Sequence, residues 1–458
     1  MRILLTGGTG LIGRELGQAL AARGDTVVCL VRDIAKARRR LPFPAECHAW
    51  DHTRPVPAAA MQGVQAVLHL AGEPVADLRW TERKKALIHD SRVLGTRHLV
   101  QAVLDHGASV EVFVHGSASG YWGERGDAHV DATSTRGTGF LADVVAAWEA
   151  ELQALADQRQ AVRVPIVRTG IVLAREGGAL AEMLPLFRLS AAGALGHGRQ
   201  WMSWIHLQDI VGLLLHALDQ PAARGVLEGV APQPATNRQF TAALCRALGV
   251  RQNLAAPAPM IEALFGQRAA IVLGSTRVVP TATLASGYLY RFASLEAAMD
   301  DLLTPLREGT WQREWLQWMP RPPEAVWPFF GDAHNLEAIT PAFLGFNVLG
   351  QSTSEIGAGT LIDYKLRLAG VPLRWRTRIE TWDPPRRFVD LQERGPYRLW
   401  HHTHDFVPLA GGTLMRDTVR YRLPAGWLGT LAGGQAVAAA VARIFEYRTG
   451  EIDARFGG

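Results

Sequence analysis

The sequence predicts an α/β region built on a doubly wound parallel sheet, followed by an α+β region with a curved antiparallel sheet. Near the start, a short apolar run meets a glycine turn and then a helical pattern. Strands and helices continue to alternate to about residue 168, which is typical of a parallel sheet. Beyond residue 322, short alternating strands follow one another and end in a long helix. A chain of 458 residues also exceeds one ordinary core, so two or three domains are expected.

Composition limits the class of protein. The chain is 48% hydrophobic and 20% charged, as expected of a soluble globular protein. It contains no apolar run of the roughly 18 residues that a membrane span needs, and its N-terminus makes a poor signal peptide. Its cysteines, Cys29, Cys47 and Cys245, are too scattered for a disulfide framework or a metal site, so a cytoplasmic location is expected. The net charge of +5 comes without a basic stripe interleaved with aromatics, so no nucleic-acid partner is expected.

The glycine turn after the first strand carries the main functional signal. Gly7, Gly10 and Gly13 stand where the strand bends sharply into a helix, which begins with Leu11 and Ile12. Glycine is needed there because a tight bend and a closely approaching pyrophosphate leave no room for Cβ atoms. The helix N-terminus also offers free N–H groups and a positive dipole end to phosphates. The turn therefore predicts a dinucleotide site, with a purely structural bend as the alternative.

The second strand, Thr26–Val31, completes a βαβ unit and indicates the form of the cofactor. An acidic residue at its end would bind the ribose 2′-hydroxyl of NAD. Arg32 stands there instead, and a guanidinium suits the 2′-phosphate of NADP by its bidentate geometry. NADP(H) is therefore predicted. NAD stays open because Asp33 comes next, and Arg32 can also be read as a surface charge.

The following elements continue the alternation. A strand over residues 46–51 is expected to place Asp51 near the adenine pocket. A strand over residues 65–72 ends in the small turn Leu70, Ala71 and Gly72, whose backbone is expected to lie along the cofactor. The remaining predicted elements are a helix over 81–104, a strand over 111–115, a helix over 140–156 and a strand over 162–168.

Residues 1–303 resemble the extended short-chain dehydrogenase/reductase superfamily, and within it the sugar-nucleotide-epimerase-like "epimerase family". The stretches that carry the resemblance are Thr6–Gly13, His69–Val75, Asp90–Arg97, Arg168–Leu173 and Gly198–Asp209. The resemblance implies a Rossmann-type NAD(P)-binding domain with a small substrate lobe, and residues 255–303 look like a C-terminal extension of the subfamily. It also implies a cofactor contact at Arg168 and a substrate contact at Glu73, and it suggests a homodimer.

The catalytic residues of that superfamily are only partly present. Its members use a Ser or Thr together with a Tyr and a Lys four positions apart on a helix, because the ammonium lowers the pKa of the phenol that moves the proton. Phe140 and Val144 stand at those helix positions. Ser117 stands where the catalytic hydroxyl is expected. Tyr121, with Arg125 as electrostatic helper, is the candidate proton donor; the alternative is that Tyr121 only shapes the substrate mouth.

Further candidates for substrate binding have ordinary structural alternatives. Arg92 lies where relatives often have an asparagine that supports the active site, and otherwise it is a helix-surface charge. His206 either lines the substrate lobe or packs as a structural histidine. Trp201 is either a pocket wall or part of the core.

Residues 304–320 are predicted to be a linker and residues 321–458 a second domain. Its predicted helices cover 323–330, 336–339 and 431–448, and its strands cover 359–368, 373–382, 388–393, 400–407 and 413–421. A single helix across a curved antiparallel sheet tends to enclose a cavity. The domain resembles the START/polyketide-cyclase-like superfamily with the helix-grip fold, including cell-division-inhibitor-like members, over Leu336–Pro341, Gly370–Arg376, Phe388–Asp390, Arg394–Pro396, Trp400–His404 and Ile444–Arg448. The resemblance implies a pocket for an apolar or lipid-like ligand.

A cluster of histidines in this domain raises the question of a metal site. On a strand, His402 and His404 share one face, whereas His401 and Asp405 lie on the other. Two ligands do not close a tetrahedral site. No metal is therefore predicted, and the histidines are interpreted as structural or pocket-lining.

Two functions remain open at this point. The first is an NADP(H)-dependent oxidoreductase or epimerase-like enzyme that acts on a small molecule through a non-standard active site. The second is a dinucleotide-binding regulatory or ligand-carrier protein with little turnover. The missing Tyr–Lys pair favours the second function, and the glycine turn with Ser117 favours the first.

Overall fold

The structure, a computed structural model, describes residues 1–75, 80–188, 193–368, 371–424 and 426–457. Gly370, the first residue of one stretch quoted above, lies outside them. The chain divides into two compact units: Met1–Ala37 with Ala45–Thr304, and Arg38–Pro44 with Pro305–Gly458. Among the described residues, no helix combines the length and apolarity that crossing a membrane requires.

The first unit is built on a parallel sheet. Its strands are β1 (Arg2–Thr6), β2 (Thr26–Val31), β3 (Glu46–Ala49), β4 (Ala66–His69), β5 (Val112–Ala118), β6 (His129–Val130), β7 (Ile166–Thr169), β8 (Ile171–Leu173), β9 (Trp201–Met202), β10 (Trp204–His206), β11 (Val226–Gly229), β12 (Ala235–Thr236) and β13 (Arg277–Val278). Seven of these strands form the main sheet in the order β11-β7-β5-β4-β1-β2-β3, and every neighbouring pair is parallel. The predicted doubly wound parallel sheet is confirmed.

Helices connect these strands. They are α1 (Leu11–Ala22), α2 (Ile34–Arg38), α3 (Glu82–His106), α4 (Phe140–Ala150), α5 (Gln153–Gln158), α6 (Gly178–Arg188), α7 (Leu207–Asp219), α8 (Asn237–Leu248), α9 (Ala258–Phe265), α10 (Ala269–Leu273), α11 (Thr281–Ala285) and α12 (Leu295–Leu303), with short 3-10 helices at Ala58–Met61, Ser119–Trp122 and Gly266–Arg268. The single helix predicted over 140–156 is two helices, α4 and α5.

The sheet order locates the binding edge of this unit. β1 lies between β2 and β4, so the strand order reverses there. Ligands of open α/β sheets bind beyond the carboxyl ends of the strands at such a reversal. Buried apolar side chains of β1, β4 and β5, including Leu4, Val67 and Phe113, pack with Leu99 and Val103 of α3 and hold this edge in place.

The second unit is an antiparallel sheet with a long helix. Its strands are β14 (Trp311–Met319), β15 (Asn347–Gln351), β16 (Leu361–Leu368), β17 (Val371–Asp383), β18 (Arg387–Arg394), β19 (Leu399–Leu409) and β20 (Gly412–Arg422). They pair antiparallel in the order β14-β20-β19-β18-β17-β16-β15. The helices are α13 (Pro323–Phe330), α14 (Asn335–Ala338) and α15 (Gly426–Phe456), with 3-10 helices at Thr304–Gly309 and Ala342–Leu344. The predicted α+β fold is confirmed.

Two strands of this sheet were not predicted. β14 lies inside the segment assigned to a linker, yet it pairs with β20 along its whole length. Its interior residues are all half-buried, so no alternation of buried and exposed side chains marks it in the sequence. β15, which contains Gly350 and a register shift, was also missed.

Candidate functional site

The glycine turn forms a close-packed cradle between β1 and α1. Gly7 has a left-handed backbone (φ +74°), and a Cβ there would lie 2.9 Å from the carbonyl atoms of Leu70. A Cβ on Gly13 would lie 2.2 Å from the carbonyl oxygen of Gly7. The Gly10 amide donates to that same oxygen at 2.9 Å. Only glycine fits at positions 7 and 13. The cradle leads directly into the first turn of α1, whose amides have no partners within the helix.

Thr6 joins the glycine turn to the end of β4. Its Oγ1 accepts hydrogen bonds from the amides of Leu70 and Ala71, both at 3.1 Å, and contacts His69 Nδ1 at 2.7 Å. His69 is fully buried, and burial lowers its pKa to about 3. The Leu70–Ala71 backbone, predicted to lie along the cofactor, is therefore fixed beside the cradle.

Arg32 and Asp51 lie beyond the ends of the next two strands of the same edge. Arg32 is exposed directly after β2. Asp33 Oδ1 accepts the Lys36 amide at 2.9 Å and thereby caps α2. Asp51, after β3, accepts from the side chain and the amide of Thr53, and these bonds lower its pKa. Asp33, the carboxylate that left NAD open as a cofactor in the sequence, is thus engaged in capping α2.

Ser117, Tyr121 and Arg168 come together around a largely buried carboxylate, Glu149. Ser117 Oγ donates to Glu149 Oε1 at 2.6 Å. Arg168 donates through Nε and Nη2 to the two oxygens of Glu149 at 2.9 and 2.7 Å. The guanidinium carbon of Arg168 lies 3.3 Å from the centroid of the Tyr121 ring. The arrangement couples the Ser117 hydroxyl to a carboxylate whose charge an arginine balances.

Sequence reasoning missed Glu149 and chose the wrong arginine for Tyr121. Glu149 belongs to α4, the helix in which the Tyr–Lys pair was sought, and a single acidic residue near its mostly apolar end was the available signal. Arg125 donates to the backbone carbonyls of Trp122 and Thr135, so its guanidinium is committed within its own loop. Arg168, distant in sequence, lies against Tyr121 instead.

Glu73 and Arg92 form a second polar group next to the Leu70–Gly72 turn. Glu73 Oε1 accepts from Nζ of the buried Lys84 at 2.7 Å. Arg92 Nη1 donates to the Glu73 carbonyl at 2.9 Å, and its guanidinium lies against Gly72. Burial lowers the pKa of Arg92 to about 10. The guanidinium donates to the Glu73 and Ile88 carbonyls and lies over the Trp148 ring, so Arg92 is not a free charge on the helix surface.

Trp201 and His206 make their contacts elsewhere in the first unit. Trp201 Nε1 donates to Asp127 at 2.8 Å. His206 caps α7 by accepting the Gln208 amide, and its ring centroid lies 3.9 Å from that of Phe292. Burial lowers the pKa of His206. These contacts are of the kind that structural side chains make, and they leave the substrate role of both residues a prediction.

The second unit contains a cavity of about 190 Å³. Its wall is mainly aromatic and aliphatic and includes Tyr364, Trp375, Phe388, Tyr397, Trp400 and Val441. A few acidic and basic side chains also reach the wall, namely Asp332, Asp390, His402, His404 and Arg448. An apolar cavity with a few convergent polar groups is the usual form of a small-molecule site.

The structure shows a carboxylate beside the histidines that the sequence did not indicate. Asp390 on β18 is paired with His402 on β19, and its Oδ2 lies 3.1 Å from His404 Nε2. Asp405, the residue weighed as a third ligand, binds Arg387 on the other face. His401 contacts Glu380 there as well.

Comparison with known proteins identifies both domains. Residues 3–228 match the family model described as "NAD dependent epimerase/dehydratase family", and residues 256–302 match a domain of unknown function, DUF1731. The human epimerase family protein SDR39U1 is 36% identical over 307 residues, which are 66% of this chain and 100% of the relative. The chain belongs to the epimerase family. A chloroplastic homolog from Arabidopsis thaliana is 35% identical over 65% of this chain and 86% of its own length.

Solved structures agree with this assignment of the epimerase-family domain. The crystal structure of human SDR39U1 with NADPH has a TM-score of 0.59 at 35% identity, covering 66% of this chain and 99% of that one. A nucleoside-diphosphate sugar epimerase from Corynebacterium glutamicum has a TM-score of 0.55 at 28% identity, covering 66% and 58%. Residues 319–457 match the family model "Polyketide cyclase / dehydrase and lipid transport". The resemblances stated from the sequence are confirmed for both domains.

Proposed function

We propose that the epimerase-family domain binds NADP(H) across the glycine cradle and acts on a small molecule held near Ser117 and Tyr121. The carrying observation is the cradle itself: Cβ atoms on Gly7 and Gly13 would collide with the backbone of Leu70 and Gly7, so the tight turn that leads into the free amides of α1 requires glycine at both positions. Arg32 stands at the end of β2 for the 2′-phosphate, and Asp33 is occupied by capping α2. The NADPH in the crystal structure of the human relative supports this choice of cofactor.

Ser117 and Glu149 can transfer a proton to or from a substrate without the Tyr–Lys pair. When bound, the nicotinamide would supply or accept a hydride. The Ser117 hydroxyl already donates to Glu149, so its oxygen is free to accept the proton of a substrate hydroxyl while its own proton moves to the carboxylate. Arg168 holds that carboxylate in place from the other side. Tyr121 lies in the 3-10 helix that follows β5, with its ring against Arg168, and would bring its phenol to the same site.

Replacing Arg32 with alanine should weaken NADPH binding by about 10–100-fold, because a charge-assisted hydrogen bond contributes about 1.5–3 kcal/mol. NADH affinity should change little, since NADH has no 2′-phosphate. Fluorescence titration of both nucleotides measures the effect, and NADH serves as the control within each variant. Equal losses for NADPH and NADH would place Arg32 away from the 2′-phosphate.

Replacing Ser117 with alanine should lower turnover by about 10²–10⁴-fold, the range of general acid–base catalysis, and should leave NADPH affinity unchanged. The measurement is NADPH oxidation against a panel of carbonyl compounds. Ser134→Ala is a matched control, because its hydroxyl bonds within the local turn at Asp131. Tyr121→Phe in the same assay separates a phenol that moves protons from one that shapes the pocket. Full turnover in Ser117→Ala would exclude the proposed proton path.

A second function, that of a regulatory or carrier protein with little turnover, is favoured by Phe140 and Val144, which occupy the expected Tyr–Lys positions. Phe140 packs edge-on against Trp80, with ring centroids 5.2 Å apart, and Val144 is buried. In this alternative, bound NADP(H) regulates a carrier for an apolar or lipid-like ligand in the second-domain cavity. Tight NADPH binding without turnover on any carbonyl tested, unchanged in Tyr121→Phe, would favour it.

A further inference from the structure

Four ionisable side chains form a compact group where β18, β19 and β20 lie side by side. Asp390 on β18 is paired with His402 on β19, and His404 on β19 is paired with Asp417 on β20. All four side chains are buried or nearly so, with 2–18% of each exposed. Asp390, His402 and His404 reach the cavity wall, so one side of the group opens towards the cavity.

Each imidazole in this group lies between the two carboxylates. On one side, His402 Nδ1 and His404 Nε2 lie 3.3 and 3.1 Å from Asp390 Oδ2. On the other side, His402 Nε2 and His404 Nδ1 lie 3.2 and 2.6 Å from Asp417 Oδ1. Arg448 adds a positive charge beside Asp417, with Nε 3.6 Å from Oδ2, and its Nη2 lies 3.3 Å from His404 Nδ1.

The number of protons does not match the number of these contacts. Four ring nitrogens face carboxylate oxygens, but two neutral imidazoles carry only two N–H groups. Filling all four contacts with protons would place two imidazolium ions next to each other and to Arg448. A divalent cation on the Asp390 side brings the same total charge and needs only the two N–H groups of neutral imidazoles. Both rings then direct their protons to Asp417 and their bare nitrogens to the cation.

The spacing on the Asp390 side fits a metal ion. Metal–ligand bonds of about 2.0–2.2 Å in a tetrahedral site put neighbouring donor atoms roughly 3.3–3.6 Å apart. Of the two distances to Asp390 Oδ2, 3.3 Å lies in this range and 3.1 Å is just below it, and one ligand atom each of Asp390, His402 and His404 lie within 4.8 Å of one another. Asp417 would orient both rings by accepting hydrogen bonds from the ring nitrogens that face away from the metal, as carboxylates do around metal-bound histidines.

We propose that Asp390, His402 and His404 bind a divalent transition-metal ion of the zinc class, with a fourth coordination position open to the cavity of the second domain. Two imidazoles and one carboxylate with an open position are the donor set of catalytic zinc sites. A polar group of a cavity ligand, or a water molecule, occupies the open position. This proposal differs from the sequence analysis, which predicted no metal. It does not depend on NADP(H) binding by the first domain.

The test is metal binding by the full-length chain after treatment with a chelator. We expect one equivalent of Zn²⁺ in competition with a chromophoric chelator, and a visible absorption band of a tetrahedral type with Co²⁺. His404→Ala and Asp390→Asn should each weaken Zn²⁺ binding at least tenfold and remove the Co²⁺ band. His401→Ala is the matched control, because this neighbouring histidine contacts Glu380 on the opposite face and should leave both readings unchanged.

The orienting role of Asp417 gives a further check. Asp417→Asn should weaken Zn²⁺ binding about 10–100-fold and leave the stoichiometry at one, as expected of a residue that acts through the ligands. Asp390→Asn keeps the size of the side chain, so it remains informative if His404→Ala fails to fold. Absence of Zn²⁺ and Co²⁺ binding by the wild-type chain would overturn the proposal. So would binding that His404→Ala and Asp390→Asn leave intact.

Discussion

Removing the Glu149 carboxylate should lower the unfolding free energy of the first domain by about 3–5 kcal/mol. The Arg168 side chain is only 5% exposed, so Glu149→Ala would leave an uncompensated charge in the interior. Ser117 would lose its hydrogen-bond acceptor at the same time. Hydrogen exchange of the β5 and β7 amides in increasing urea measures the loss in the first domain separately from the second.

Glu151→Ala is the matched control for this prediction. Glu151 lies two residues further on and also forms a two-armed ion pair, but its partner Arg97 is 57% exposed. An exposed pair contributes about 0–1 kcal/mol, so Glu151→Ala should have a small effect. The combination Glu149→Leu with Arg168→Met should recover most of the stability, because apolar residues often replace a buried pair without loss. A loss in Glu149→Ala no larger than in Glu151→Ala would contradict the prediction.

Replacing Val441 with tryptophan should abolish the apolar-ligand binding that we propose for the second domain. Val441 is a buried residue of α15 that lines the cavity, and an indole there would occupy much of its 190 Å³. Overfilling a packed interior also costs about 1–3 kcal/mol, but the space available in the cavity should reduce this cost. Titration with a fluorescent long-chain fatty acid analogue measures the binding.

Ala439→Trp controls for the introduced tryptophan. Ala439 lies on the same helix with its side chain exposed, so the indole at this position should project into solvent. The fatty acid analogue should bind to this variant as it binds to the wild-type chain. Unchanged binding in Val441→Trp would show that the analogue binds outside the cavity.

Local sequence patterns were enough to predict most of the fold. Thr26–Val31 and Pro323–Phe330 were predicted with the bounds that they have in the structure, because a buried apolar strand and an amphipathic helix both leave a clear periodicity. β14 was missed because its polar and aromatic residues are half-buried on both faces. The long helix α15 begins before and ends after the predicted residues.

In the candidate sites, sequence patterns identified residues that are neighbours in the chain but missed residues that the fold brings together. The glycine cradle could be read from the sequence because its residues are neighbours in the chain. Glu149 could not, because its partners Ser117 and Arg168 come from separate strands. Arg125 was assigned to Tyr121 by its nearness in sequence, which does not predict contact across a loop. Asp390 was overlooked because the register between β18 and β19 cannot be read from either strand alone.

The pairing of β14 with β20 bears on how the second domain can be studied in isolation. A fragment that starts at residue 321 would lack β14 and would leave the backbone groups of β20 unpaired. That newly exposed edge would be long and would carry the buried side chains of Val419 and Tyr421, which is the kind of strand through which proteins self-associate. A soluble, monomeric second domain is therefore expected to begin before Trp311.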